Sequence, residues 1–348
     1  MIRTAIVAYG FSAQTFHIPY LQMEPGFLWS HMVTSKPDAF HLSHPEIAVV
    51  QNLADLAFDT LDLVVITSPN HAHFEQTKYC LEQGCHVIVE KPFVFTVAQA
   101  ETLKALAAQC ERQLIVFQNR RWDGDFLTIQ GLIDNQSVGQ VKRLVSRFDR
   151  FRPEVRSRWR EQQGQGTGIT WDLAPHLIDQ AIALFGCPKT LTANIRCLRD
   201  GAEVDDNFEI WLDYESLQVV LGSSSFGAGP NPRFALEGTE GSFVKFGLDV
   251  QESALKLGED LLDERWGQES DEHWGILYQA HQSKLVTTKP GNYGAFWHQI
   301  ALCLEQGAQS PVPIDDSILA IHLLALAHQS AQQGQRMTVV DEAQAKAL

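Results

Sequence analysis

The sequence predicts a two-domain α/β protein that opens with a parallel sheet covered by helices on both faces. Three observations carry this expectation. The chain has 348 residues, more than one hydrophobic core of ordinary size organises. Its first 120 residues alternate short Val/Ile-rich runs with helical patterns. A glycine turn joins the first of these runs to the first helical stretch.

Thr4-Ala5-Ile6-Val7-Ala8 reads as the first strand, and a helix pattern with Phe16, Tyr20 and Leu21 apolar follows it. Pro19 is expected to kink or restart that helix, because proline fits a first turn but not a helix interior. Residues 29–34 and 48–50 read as the second and third strands, with a short helix at 53–56. Leu61-Asp62-Leu63-Val64-Val65-Ile66-Thr67 is the clearest strand. Ser68-Pro69-Asn70 breaks it and offers a cap for a helix over 71–83, which Gly84 ends. Residues 86–90 and 114–117 give strands five and six on either side of a helix over 97–109. Near-continuous apolar strands fit a sheet buried on both faces. Ligands of such sheets bind outside the carboxyl ends of the strands. Gly10, Ser35, Ser68 and Lys91 each directly follow a predicted strand and are therefore candidate site positions.

Composition narrows the class. Basic and acidic residues number 27 and 42, a net charge of −15, which disfavours nucleic acid and anionic membranes as partners and requires a local positive site for any anionic ligand. No apolar run reaches the length of a membrane span. The first residues are too short and too strand-like for a signal peptide. Six cysteines form no CxxC pair and no metal-like cluster with histidine, so free thiols in a cytoplasmic protein and no metal are expected.

The dinucleotide fingerprint G-x-G-x-x-G/A reads here Ala8-Tyr9-Gly10-Phe11-Ser12-Ala13. The central glycine, where backbone approaches a pyrophosphate, is kept, and the first is replaced by Ala8. A simple strand-to-helix turn containing a glycine is the plain alternative. The setting, a strand before and a helix after in a βαβ unit, favours a Rossmann-type domain with Ala8, Gly10, Phe11 and Ser12 at the cofactor. NAD-binding chains usually place a carboxylate at the end of the second strand. Thr34-Ser35-Lys36 stands there instead, and Ser35 and Lys36 are able to donate to a 2′-phosphate. NADP is the expected cofactor, with NAD the alternative.

Three groups are candidates for chemistry. Lys91 in Glu90-Lys91-Pro92 follows strand five and is placed toward the nicotinamide end of a cofactor lying along the strand tips, with Glu90 orienting it. Asp172 and His176, after the glycine-rich run 164–168, are four residues apart and share one helix face. Histidine suits proton transfer near neutral pH. On their own these two read equally as a helix cap and a satisfied helix histidine. In Gln118-Asn119-Arg120-Arg121-Trp122-Asp123, at the expected crossing into the second domain, the polar side chains either hold substrate or nicotinamide or pair with interface carboxylates. Asn119, Arg121 and Trp159 are the candidate substrate contacts. Eight basic residues between Lys142 and Arg160 form either a solvated or subunit-facing strand or a site for an anionic or polyhydroxylated substrate.

Taken in order, the glycine turn, Ser68-Pro69-Asn70-His71-Ala72-His73, Glu90-Lys91-Pro92, the glycine-rich run to Asp172-x-x-x-His176, the segment from Arg233 to Phe243 and Gly291-Asn292-Tyr293 resemble the Gfo/Idh/MocA family over nearly the whole length. The family is named for glucose–fructose oxidoreductase and inositol dehydrogenase. The resemblance implies a Rossmann domain at 1–121 and, at 122–348, an α/β domain with a large open, mostly antiparallel sheet, with the last helix packing back on the first domain. Strand patterns at 141–148, 189–198, 208–212, 218–223 and 242–246 agree. It implies homodimer or homotetramer contacts through that sheet and hydride transfer between NAD(P) and a secondary alcohol or ketone of a sugar, inositol or related polyol. Lys91 would lie near the reacting oxygen, Asp172 and His176 would be the aspartate and the acid/base histidine, and Asn70 and His73 would line the nicotinamide side. The alternatives are a cofactor-binding regulator without turnover, and lyase or hydrolase chemistry with a recycled cofactor.

Overall fold

The computed structural model describes residues 1–340, apart from the side chains of Ala39 and Trp159. The chain divides into two units. The first holds β1 (Ile2–Val7), α1 (Ile18–Met23), β2 (Phe27–Val33), α2 (Pro37–His41), β3 (Ala48–Val50), β4 (Leu63–Ile66), α3 (His73–Glu82), β5 (His86–Val89), α4 (Val97–Gln109) and β6 (Leu114–Val116). Its six strands are all parallel, in the order β3-β2-β1-β4-β5-β6. Leu63, Val64, Val65 and Ile66 are wholly buried, so β4 faces apolar neighbours on both sides, each such side chain contributing about 1.5–3 kcal/mol.

The order of strands reverses between β1 and β4, and there the two strand ends are tied together. Thr67 Oγ1 donates toward the carbonyls of Val7 (2.9 Å) and Ala8 (2.8 Å). A crevice at the carboxyl ends of the strands is the ligand position of such sheets. The helical stretch after the glycine turn is broken as Pro19 requires. A π-turn covers Ala13–His17, and α1 starts after it with Pro19 in its first turn.

The second unit holds α5 (Gly124–Asp134), β7 (Val141–Arg147), α6 (Ile169–Phe185), β8 (Thr190–Arg196), β9 (Asn207–Asp213), β10 (Gln218–Ser224), β11 (Phe234–Gly238) and β12 (Ser242–Lys245). After α7 (Gln251–Leu257) come β13 (Gly275–Gln279), β14 (Gln282–Val286), α8 (Tyr293–Gln306), α9 (Ile314–Gln333) and β15 (Met337–Thr338). Nine strands form one sheet, β14-β13-β12-β11-β7-β10-β9-β8-β15, antiparallel except for β7 beside β10. Leu173, Leu177, Ile178 and Ile182 of α6 pack with Leu191, Phe208, Ile210 and Leu221 in its core.

A single cut after residue 121 does not describe the division. Glu252–Asp263 and Asn292–Ile318 cluster with the first unit. Thus α8, not the last helix, packs wholly there, placing Phe296 and Trp297 against Phe117. α9 lies mainly in the second unit, where Leu323, Leu324 and Ala327 join the core.

Several charged groups lie inside the second unit. Arg233 is buried against Asp125 (3.1 Å), Ser146 Oγ (2.6 Å) and Gln180 Oε1 (2.9 Å). Asp249 accepts from the amides of Gly124 (2.7 Å) and Gln251 (2.9 Å) and from Gln251 Nε2 (3.0 Å). Burial, with the nearby charge of Asp125, pushes the Asp249 carboxyl up to about 6 against those hydrogen bonds. The folded chain therefore holds a proton that the unfolded chain releases near pH 4, and stability from this group falls as pH rises from about 4 to 6. Relative to wild type, Asp249→Asn should gain about 2 kcal/mol in urea unfolding between pH 4 and pH 7. A difference that stays constant with pH would show that Asp249 titrates normally.

Candidate active site

The site residues fall into two groups, one in each unit. In the first unit the glycine turn leaves β1 through Ala8, whose φ of 76° lies in the left-handed region. A glycine would adopt it without steric cost, whereas alanine carries about 1–2 kcal/mol of strain. Gly10 is exposed, and a side chain there would meet no atom within 4 Å. Open space beside the backbone is what the close approach of a pyrophosphate needs. Phe11 is 56% exposed, with the Lys256 ammonium 5.4 Å from its ring centre.

At the tip of β5, Glu90 joins this turn to Lys91. Ser12 Oγ donates to Glu90 Oε1, His17 Nε2 lies 2.9 Å from the same oxygen, and the Lys91 amide donates to Oε2 at 3.2 Å. His17 is wholly buried and packs on Phe117 at 4.2 Å. Burial alone would raise the Glu90 carboxyl. The hydrogen bonds from His17 and Ser12 and the charges of His17 and Lys91 outweigh it and hold the group below its ordinary value, as a carboxylate. Lys91 is half-buried and precedes a cis peptide to Pro92.

Several residues expected at the cofactor also make hydrogen bonds within the frame. His73 has no exposed surface. Its Nδ1 lies 2.9 Å from the Pro92 carbonyl and its Nε2 2.8 Å from that of Ser68. Burial lowers its pKa, with the two carbonyls opposing. It thereby braces the loops after β4 and β5. Glu90 and Ser12 have side-chain bonds to each other. The Ser68 hydroxyl donates to Gln76 Oε1 at 2.5 Å and caps no helix amide; a short 3₁₀ turn at Asn70–Ala72 leads into α3. Asn70 is half-buried. After β2, Ser35 and Lys36 are exposed, and the Lys36 amide donates to Thr34 Oγ1 at 3.2 Å. Asn119 is buried beside Gln118.

In the second unit Asp172 does not begin its helix. α6 starts at Ile169 behind Gly168 and continues through Pro175 in its interior rather than its first turn. The start is fixed by Asp205, which accepts from the Thr170 amide at 2.7 Å and from its hydroxyl at 2.5 Å. Gly168 has φ of 90°, and a side chain there would overlap the Asp205 carboxylate. Asp172 lies in the fourth position of α6 with Arg160 Nε at 3.7 Å, and His176 one turn on is 7% exposed. Arg121, expected at the substrate, is committed to Asp179 of the same helix by two bonds of 2.8 and 2.7 Å. Trp159 lies outside the residues whose side chains are described. Among the described residues no group of three or more histidines, cysteines or carboxylates could hold a metal, and no helix is long and apolar enough to cross a membrane.

Two family descriptions match the chain. Residues 2–118 match an oxidoreductase family, NAD-binding Rossmann fold, and residues 130–339 match the oxidoreductase family's C-terminal alpha/beta domain. The uncharacterized oxidoreductase YdgJ of Escherichia coli is 42% identical over 336 residues, 95% of this chain and 96% of YdgJ. The scyllo-inositol 2-dehydrogenase (NADP(+)) IolW of Bacillus subtilis is 37% identical over 337 residues, 95% of this chain and 94% of IolW. The solved structure of yvaA from Bacillus subtilis superposes with a TM-score of 0.94 at 34% identity, over 98% of this chain and 99% of that one.

The Asp205 cap makes a specific demand on Gly168. Gly168→Ala combines a left-handed conformation with a clash against the Asp205 carboxylate, and should cost about 2 kcal/mol or more in urea unfolding. Unchanged stability in that variant would mean that α6 starts elsewhere.

Proposed function

From the premise that the chain belongs to the Gfo/Idh/MocA oxidoreductase family, we propose that it transfers hydride between NADP and a secondary alcohol or ketone of a sugar, inositol or related polyol. The observation that carries the reading is the Glu90 network, which anchors Lys91 at the tip of β5 and the glycine turn at the tip of β1 through one carboxylate. The open space at Gly10 fits a dinucleotide phosphate. The NADP(+) dependence and inositol substrate in the name of IolW support the class, as does the run Thr34-Ser35-Lys36 directly after β2, which holds no carboxylate and leaves Ser35 and Lys36 exposed.

When bound, the nicotinamide cofactor accepts or supplies the hydride. In this reading Lys91 Nζ donates a charge-assisted hydrogen bond to the reacting oxygen and stabilises the charge that grows there. His176 takes the hydroxyl proton in oxidation and returns it in reduction. Asp172 orients the substrate hydroxyl or the histidine ring. The outward face of the large sheet, where Trp211 is 45% exposed beside Glu209, is the surface proposed for a second subunit.

Loss of His176 as acid/base should appear in turnover. His176→Ala should lower kcat by about 10²–10⁴-fold with cofactor affinity retained. An unchanged kcat, measured by nicotinamide absorbance with a panel of inositols, polyols and aldoses, would remove His176 from the chemistry. The cofactor choice is tested by titration: NADPH should bind more tightly than NADH, and Lys36→Glu should reverse the order. Equal or tighter NADH binding by wild type refutes the NADP assignment.

A further inference from the structure

We propose that the arginine-rich loop at residues 150–160 is an oxyanion-binding subsite, and that the substrate carries a carboxylate or phosphate which this loop receives. The inference rests on the reading above for the reaction, and adds the charge of the substrate.

The loop concentrates positive charge in an acidic protein. Over residues 150–160 there are five arginines against one glutamate, in a chain of net charge −15. Elsewhere in the basic stretch the arginines are paired. Arg143 meets Glu237 at 3.1 Å, and Arg147 meets Asp149 at 2.8 Å and Glu209 at 3.1 Å. Arg150, Arg152, Arg156 and Arg158 have no carboxylate within ion-pair distance among the described residues, and Glu154 pairs with none of them. The nearby carboxylates are already engaged: Glu161 Oε2 accepts from Arg199 at 3.0 Å and from the Arg156 amide at 2.8 Å, and Asp206 holds Arg199 at 3.1 Å.

These arginines share one stretch of eleven residues. Arg152 is half-buried, and its pKa is lowered first by burial and then by the charges of Arg150, Arg156 and Arg158, with Glu161 opposing. Arginine does not shed its proton to relieve this repulsion. A bridging anion relieves it, and planar guanidiniums match the geometry of carboxylate and phosphate.

The loop is also held in shape. Arg150 and Arg152 donate their amides to the carbonyls of Ser224 (2.9 Å) and Ser225 (2.7 Å), and Phe151 bridges Phe226. At the far end the Arg158 amide donates to the Arg156 carbonyl (2.8 Å), the Glu161 amide to that of Arg158 (3.0 Å), and Arg199 Nη1 to that of Glu154 (3.1 Å). A loop already ordered loses little entropy when it binds an ion.

The position of the loop points to the substrate. Its last residue leads into the start of the helix bearing Asp172 and His176: the Gly168 amide donates to the Arg160 carbonyl at 2.9 Å, and Arg160 Nε lies 3.7 Å from Asp172 Oδ1. Arg158 follows two residues earlier, at most about 7 Å away between Cα atoms. Long arginine side chains at that separation reach around a small polyol whose hydroxyl is held by Asp172.

The test uses the full-length protein with Arg152→Gln, Arg158→Gln and the double variant. Each is assayed with a neutral inositol and aldose, with the corresponding inositol monophosphate, and with the corresponding sugar acid. The anionic compounds should show a higher kcat/KM than their neutral parents. The double variant should lower the anionic-to-neutral ratio of kcat/KM at least tenfold, mainly through KM, and added salt should lower it in wild type. The compound favoured by wild type identifies phosphate or carboxylate as the group received. A ratio near one in wild type, or one unmoved by the double variant, overturns the subsite while leaving the proposed reaction in place. If no compound is turned over, the proposed reaction fails, and inorganic phosphate titrated calorimetrically decides the subsite separately. Binding by wild type that the double variant loses supports the subsite; no binding, or equal binding by both, overturns it.

Discussion

The first unit is organised around a half-buried carboxylate. Placing Glu90 at the end of a strand removes most of it from water, and an ionised carboxylate is stable there only with donors around it. Ser12, His17 and the Lys91 amide are those donors. They come from the glycine turn, from the π-turn that follows it and from the loop after β5, so one electrostatic requirement sets three backbone positions together. His17 reaches Glu90 from the last position of the π-turn, and Pro19 starts α1 afresh just behind it. π-turns of this kind are frequent at functional sites, and here the irregularity has an identifiable object.

The second unit solves an equivalent problem at a helix end. The first amides of α6 have no partner within the helix, and Asp205 supplies one for Thr170. Burial raises the Asp205 carboxyl despite the Thr170 bonds, and His328, stacked on Trp171, opposes that rise with its charge. A negative group at a helix start also gains from the helix dipole. The cap thus fixes the starting point of the helix that carries Asp172 and His176. Gly168 completes the arrangement, because only a residue without Cβ leaves room for the carboxylate in that conformation.

Much of the fold was legible in the sequence because it rests on local rules. The six strands of the first unit follow from Val/Ile runs, and α4 occupies 97–109 as its pattern predicts. Five strands of the large sheet were visible for the same reason. β13 and β14, Gly275–Gln279 and Gln282–Val286, were not: β14 is largely exposed and lacks a strong apolar signal. The pairings that the candidate side chains make across the fold were not legible. Arg121 and Asp179 are 58 residues apart, and Thr170 and Asp205 are 35 apart, so pairing by tertiary contact left no local mark. His73 shows the same limit: nothing local in the sequence tells that the fold buries its ring between two loop carbonyls. His17 went unread because an isolated histidine in an apolar helical pattern has no periodic signature.

Net charge describes this molecule poorly for the same reason that tertiary pairing escaped the sequence. Many carboxylates that make the chain acidic are spent on named donors: Asp62 on Arg3, Glu90 on His17 and Ser12, Asp179 on Arg121, Asp206 on Arg199 and Asp125 on Arg233. A charge neutralised by a neighbour at 3 Å contributes little to the field felt by a ligand, and exposed charges fade beyond about 8–10 Å in physiological salt. An approaching anion therefore responds to the nearest unpaired cations rather than to the sum of −15. Among the described residues Lys36 after β2 and Arg150, Arg152, Arg156 and Arg158 are such cations, the first in the unit that matches an NAD-binding fold and the others in the unit that holds Asp172 and His176. Acidic excess elsewhere sharpens their effect, because it makes the rest of the surface unfavourable to the same ligand.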